Sequence, residues 1–169
     1  ETESGTYWGI DVTTSEKPLT PTAGARVLRL LCVLDLSGSM GMIMPGNEKS
    51  NRALLIAQIG HTLRNMQSFV EKLQESGILS GRDDVRFSIV GFHSTATVIV
   101  PDSNARYRAH AEEAERNVKA FQETGGTSYK SWFDAMIPLV GQDEHVLLSV
   151  CTDGGCQEWD TFWKSYESW

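Results

Sequence analysis

The stretch Val27-Leu28-Arg29-Leu30-Leu31-Cys32-Val33-Leu34-Asp35-Leu36-Ser37-Gly38-Ser39 decides how this chain is read. Residues 27–34 (VLRLLCVL) are a nearly continuous apolar run. A half-buried strand alternates apolar and polar side chains, whereas a run of this kind is expected of a strand covered on both faces, as in a parallel sheet. The run then turns polar. Asp35, Ser37 and Ser39 stand at alternate positions of a turning segment (D-x-S-x-S), so their three side chains can point to one side.

Beyond this stretch two periodicities alternate. From Ser50 to about Glu75, Leu55, Ile59, Leu63, Met66, Val70 and Leu73 recur at spacings of three and four, which predicts one amphipathic helix. Val85 to Phe92 (VRFSIVGF) reads as a strand, His93-Ser94-Thr95 as a turn, and Ala96 to Val100 (ATVIV) as the hairpin partner, ended by Pro101. Tyr107, Ala111, Ala114, Val118 and Phe121 form a second helical stripe. Gly125-Gly126-Thr127-Ser128 reads as a loop. Trp132, Phe133, Met136, Ile137 and Val140 mark a third helix, and His145 to Cys151 (HVLLSVC) a buried strand. This order predicts an α/β fold: a three-layer, doubly wound, mostly parallel sheet with one antiparallel edge hairpin strand and helices on both faces.

At 169 residues one domain is expected. Residues 1–26 form a lead-in rich in Thr, Ser, Pro and Gly, with Tyr7 to Thr13 as a short edge strand, and residues 27–169 form the domain. The net charge of -7 argues against broad nucleic-acid binding, which needs stripes of Lys and Arg. No apolar run reaches the roughly 18 residues a membrane-spanning helix requires. Glu1 opens a polar segment rather than a signal peptide, and a chain beginning at Glu reads as a processed or cut product. Cys32, Cys151 and Cys156 are too few and scattered for a disulfide framework, and Cys32 and Cys151 read as small buried hydrophobes, which favours a reducing, intracellular setting.

Three motifs fall where this architecture would place a ligand: Asp35 to Ser39 after the first core strand, Gly125-Gly126-Thr127 entering the third helix, and Thr152-Asp153-Gly154 after the last strand. Open α/β sheets bind ligands outside the carboxyl ends of their strands. All three motifs meet there if the strands of residues 27–34 and 145–151 are neighbours. Asp35 and Asp153 offer carboxylate oxygens, and Ser37, Ser39 and Thr127 offer neutral hydroxyls, a set suited to a hard divalent cation such as Mg²⁺ (or Mn²⁺ or Ca²⁺). Neutral hydroxyls leave the ion with an appetite for an outside carboxylate. The competing reading makes Ser37 to Ser39 a cap for the next helix and Asp153-Gly154 an ordinary turn.

VLDLSGSM, FSIVGF, TGGTS and VCTDGG together resemble a von Willebrand factor A (VWA) domain with an intact metal-ion-dependent adhesion site, over roughly residues 27–155. The resemblance implies that Asp35, Ser37, Ser39, Thr127 and Asp153 are the metal ligands and that a partner's Asp or Glu completes the coordination. It implies a non-enzymatic protein-interaction module. A VWA domain continues after T-D-G with a helix, a further strand, another helix and usually one strand more. Residues 154–169 do not read as a strand: Trp159, Phe162, Trp163 and Tyr166 form a helical stripe. The sheet is therefore expected to lack its last strands beside residues 145–151, with another chain or segment completing that edge or the sequence being a fragment.

Other readings are weaker. Asp11 to Ser15 matches D-x-T-x-S, but no buried strand, helix and later partners follow it at the right spacing. Ser39 lacks the G-x-S-x-G context of a nucleophile elbow. Residues 41–46 (GMIMPG) lack the Lys-Ser/Thr of a phosphate-binding loop; the stretch is expected to border the metal rim, where Met42, Ile43 and Met44 either fold back or meet a partner. The four histidines show no zinc-ligand spacing, and His93 is read as a core or surface histidine near the site. A metal-dependent hydrolase of phosphoester or acyl substrates and an RNA-associated VWA module stand as the alternatives to a protein-binding role.

Overall fold

The computed structural model describes residues 26–122 and 124–153. The expected strand of residues 7–13, the D-x-T-x-S match at Asp11, Cys156 and the aromatic stripe from Trp159 to Tyr166 lie outside the described residues. Within them run β1 (Val27–Asp35), α1 (Asn51–Glu75), β2 (Asp84–Phe92), β3 (Ala96–Asn104), α2 (Arg108–Ala120), α3 (Tyr129–Met136) and β4 (Glu144–Cys151), with short 3-10 turns at Gly38–Gly41 and Ile137–Leu139.

The strand order is β3-β2-β1-β4. β1 lies in the middle, parallel to β2 from Val27↔Asp84 to Asp35↔Phe92 and parallel to β4 from Val27↔Glu144 to Leu34↔Cys151, while β3 pairs antiparallel to β2. The continuous apolar run thus sits where both faces are covered. On one face Leu30 and Leu34 pack with Ile59, Leu63, Met66 and Val70 of α1 and with Ala111, Ala114 and Val118 of α2. On the other, Leu31 and Val33 meet Tyr129, Trp132, Phe133 and Met136 of α3. These are the three layers expected from the order of elements. α1 is capped at its start by Ser50, whose hydroxyl accepts the Ala53 N–H at 3.3 Å, and it ends before Gly77, whose φ of +75° is one that glycine adopts without strain.

Four expectations need correction. β3 does not stop at Pro101 but continues to Asn104. Among the described residues β3 is an edge strand, where proline's missing N–H costs no ladder bond, and the register shifts between Phe87 and Val90 mark the irregularity. The Ser88 hydroxyl fills the gap by donating to the Pro101 carbonyl at 2.7 Å. Tyr107 is exposed, because α2 begins after it, and its ring lies edge-on to His110. Ile137 is exposed because the α-helix gives way at Met136 to the 3-10 turn that carries Pro138. β4 is not a fully buried strand: it pairs with β1 alone among the described residues, and Leu147 and Val150 are exposed.

Arg29 breaks the apolar run of β1. It is buried, and its guanidinium donates to Glu144 of β4 (2.5 and 2.7 Å), Ser88 of β2 (3.0 Å) and Asp102 of β3 (3.0 Å). One side chain therefore joins all four strands at the end of the sheet opposite the three motifs. Cys32 and Cys151 pack against the α1/α2 core. Burial raises both thiols, Cys32 to about 12, so they are inert hydrophobes in the described fold.

Candidate metal centre

The pairing of β1 with β4 meets the condition set by the sequence, because it brings the carboxyl ends of both strands side by side. Asp35 ends β1 and is fully buried. Its Oδ1 accepts the Ser37 backbone N–H at 2.9 Å, which folds the chain back over the carboxylate. Its Oδ2 accepts the Thr152 hydroxyl at 2.7 Å. Thr152 has one hydroxyl proton and gives it to Asp35, so in the 2.9 Å contact between Thr152 Oγ1 and the Tyr129 hydroxyl it is Tyr129 that donates. A relay thus runs from α3 through β4 to the end of β1.

Ser37 is buried and Ser39 half-buried, with their hydroxyl oxygens 3.1 Å apart. Ser37 makes no side-chain capping bond to the following turn, and α1 is capped by Ser50. The reading of Ser37 to Ser39 as a cap for the next helix therefore fails: their hydroxyls face each other instead.

Three loops interlock around Thr127. The Gly38 N–H donates to the Gly125 carbonyl at 2.8 Å, the Gly126 N–H to the Ser94 hydroxyl at 2.7 Å, and the Ser128 N–H to the His93 carbonyl at 2.9 Å. A Cβ on Gly125 would lie 2.8 Å from Ser94 Oγ and 3.0 Å from His93 Nδ1, so glycine is required by close approach. Thr127 is half-buried inside this lattice, two residues from the bond that ties its loop to Gly38. Asp153 is exposed, one residue past Thr152. Asp35, Ser37 and Ser39 are thus joined by direct bonds; the loop of Thr127 is tied through Gly125 to Gly38, and Asp153 follows Thr152, which bonds to Asp35.

The donor chemistry fits a hard divalent cation. Two adjacent ligands of an octahedral Mg²⁺, each at about 2.1 Å, sit about 3.0 Å apart, and the Ser37 and Ser39 hydroxyls already hold that separation. Each Asp35 oxygen has one donor, which orients it and leaves lone-pair capacity. Among the described residues no three His, Cys, Asp or Glu side chains gather as a metal group; the candidate set has two carboxylates, and its other oxygens are hydroxyls. Sequence reasoning quoted Thr152 within T-D-G without giving it a role and counted Tyr129 nowhere. The signal for both was that Thr152 precedes Asp153 and Tyr129 lies two residues past Thr127, but the bonds that tie them to Asp35 depend on β1 and β4 being neighbours.

No protein-family model and no curated protein matches the chain. Solved structures do. An aerotolerance-related membrane protein from Bacteroides fragilis matches at 17% identity and a TM-score of 0.56, over 83% of this chain and 62% of its own. The PilB minor pilin from Streptococcus sanguinis matches at 17% identity and a TM-score of 0.53, over 76% of this chain and 30% of its own. The pilus adhesin SpaC from Lactobacillus rhamnosus GG matches at 16% identity and a TM-score of 0.53, over 78% of this chain and 15% of its own. The chain thus spans less than two thirds of the length of each. At these identities the likeness is one of fold, a mostly parallel α/β sheet flanked by helices.

Proposed function

We propose that this chain is a non-enzymatic protein-interaction module that holds a divalent cation, Mg²⁺ or a close substitute, at Asp35, Ser37, Ser39, Thr127 and Asp153, and through it takes an Asp or Glu carboxylate of a partner protein. The observation that carries the proposal is the buried Asp35 carboxylate, oriented by Ser37 N–H and Thr152 Oγ1 beside two hydroxyl oxygens 3.1 Å apart. A buried carboxylate set among hydroxyls is costly unless a positive charge answers it, and a cation does so. Once bound, the ion would supply a Lewis-acidic point for an external oxygen.

Two of the similar structures are described as a minor pilin and a pilus adhesin, which supports an interaction role over a catalytic one. Among the described residues no helix is long and apolar enough to cross a membrane.

The test is calorimetric titration of Mg²⁺ and Mn²⁺ into the chain, beside Asp35→Ala and Thr127→Ala. Binding by the parent that both variants lose supports the reading. A folded parent that binds neither ion, or variants that bind as the parent does, would overturn it.

A further inference from the structure

Directly after the D-x-S-x-S turn the surface changes character. Met40 is 1% exposed, yet Met42, Ile43 and Met44 are 57%, 62% and 39% exposed. From Leu36 to Asn47 the chain carries no charged side chain. The exposed segment is fixed in place: Met42 N–H donates to the Ser39 carbonyl at 3.0 Å, Asn47 N–H to Met44 at 3.0 Å, and Asn51 N–H at the start of α1 to Met42 at 3.1 Å. Three large apolar side chains held outward by a pinned loop, one 3-10 turn from a candidate ligand hydroxyl, are costly in water and mark a contact surface. Methionine suits such a surface because its unbranched, polarizable side chain adapts to the shape of what it meets.

We infer that Met42, Ile43 and Met44 form an apolar platform for the side chains that flank the partner's acidic residue, so that the partner is an acidic residue set among aliphatic residues and not an acidic run. This rests on the proposed cation-dependent reading and specifies its partner. Two features select that occupant. Side chains two positions from the acidic residue of an extended peptide stand about 7 Å away, a reach that spans the short turn from Ser39 to Met42. The chain also carries a net charge of -7, so one carboxylate can be met by the ion while further partner carboxylates are repelled. Affinity beyond the single carboxylate must then come from apolar contact, which is what the platform offers.

The test is methyl NMR of the full chain labelled at its five methionines, after Mg²⁺ binding has been measured separately by calorimetry. The probes are acetyl-Leu-Ala-Asp-Ala-Leu-amide, acetyl-Ser-Ala-Asp-Ala-Ser-amide and acetyl-Leu-Ala-Asn-Ala-Leu-amide, which put the flanking side chains two positions from the central residue, each with Mg²⁺ and with chelator. The expected result is that the first peptide shifts the Met42 and Met44 methyls only with Mg²⁺, and binds about tenfold more tightly than the other two. The double variant Met42→Ser, Ile43→Ser should lose that preference while keeping the parent's Mg²⁺ affinity. If Mg²⁺ binds and both Asp peptides bind equally without moving these methyls, the platform is wrong and the cation-dependent reading stands. If the Asn peptide binds as well as the Asp peptide, the apolar surface serves a partner that does not use the cation, and the inference also fails. Absence of Mg²⁺ binding overturns both.

Discussion

Thr152 and Asp35, 117 residues apart in sequence, share a hydrogen bond of 2.7 Å in which the threonine hydroxyl donates to the carboxylate. It joins the carboxyl ends of β4 and β1, and through Tyr129 it extends to the first residue of α3. Residues that orient a ligand in this way commonly influence metal affinity by 10–100-fold, although they touch no metal. Thr152→Val keeps the shape and removes the donor. On the proposed cation-dependent reading its Mg²⁺ affinity should fall about tenfold, read by calorimetry, with Tyr129→Phe giving a smaller loss of the same sign. Parent-like affinity in Thr152→Val would show that Asp35 is held by the Ser37 N–H alone.

Gly125 offers a packing test of the same region. A methyl group there meets Ser94 Oγ at 2.8 Å, and that atom already accepts the Gly126 N–H. Gly125→Ala should destabilise the fold by about 1–3 kcal/mol, the usual range for overpacking. Adding Ser94→Ala removes the nearest atom, so the double variant should be less destabilised than the sum of the two single variants. Urea unfolding midpoints of the four proteins decide this, and strict additivity would refute the close approach.

The central strand, both helical stripes and the three motifs were legible because each is local: a run, a period or a short spacing. What was not legible depends on neighbours. Pro101 looks like a terminator until β3 is seen to be an edge strand among the described residues, where its missing N–H is harmless. Residues 145–151 look buried because they are apolar, yet Leu147 and Val150 are exposed since β4 has one strand beside it among the described residues. Tyr107 fits the α2 stripe by spacing but precedes the helix. At the site, Asp35 and Asp153 read as equals, whereas the first is fully buried and the second exposed. Thr152 and Tyr129 acquire a role only when β1 and β4 are paired.

Arg29 should matter more to stability than any exposed ion pair. Its fork is taken bidentately by Glu144 and its remaining arm by Ser88 and Asp102. Arg29→Met strands the Glu144 carboxylate beside an apolar face, at a cost of about 3 kcal/mol. Asp102 is largely at the surface and is also paired with Arg86, so it adds little to this loss. Changing Glu144 to Gln in the Arg29→Met background should recover part of the stability in urea unfolding. A single variant within error of the parent would mean that the four-strand junction is dispensable.

Acid should weaken the fold through two carboxylates at this same end of the sheet. The Arg26 guanidinium and the Ser80 N–H hold Asp83 well below the usual carboxylate range, and Arg29 lowers Glu144. Their native pKa values are depressed, so the unfolded chain binds protons first as pH falls. The stability they contribute is therefore fully present above the ordinary carboxylate value of about 4 and is lost as pH drops through the lower native values. Unfolding midpoints should be nearly flat from neutral pH to about 5 and then fall. Asp83→Asn should lower stability at neutral pH and flatten the acid limb, because the asparagine has no proton to take up. Were the acid limb as steep in Asp83→Asn and in Glu144→Gln as in the parent, the acid sensitivity would have to come from other carboxylates.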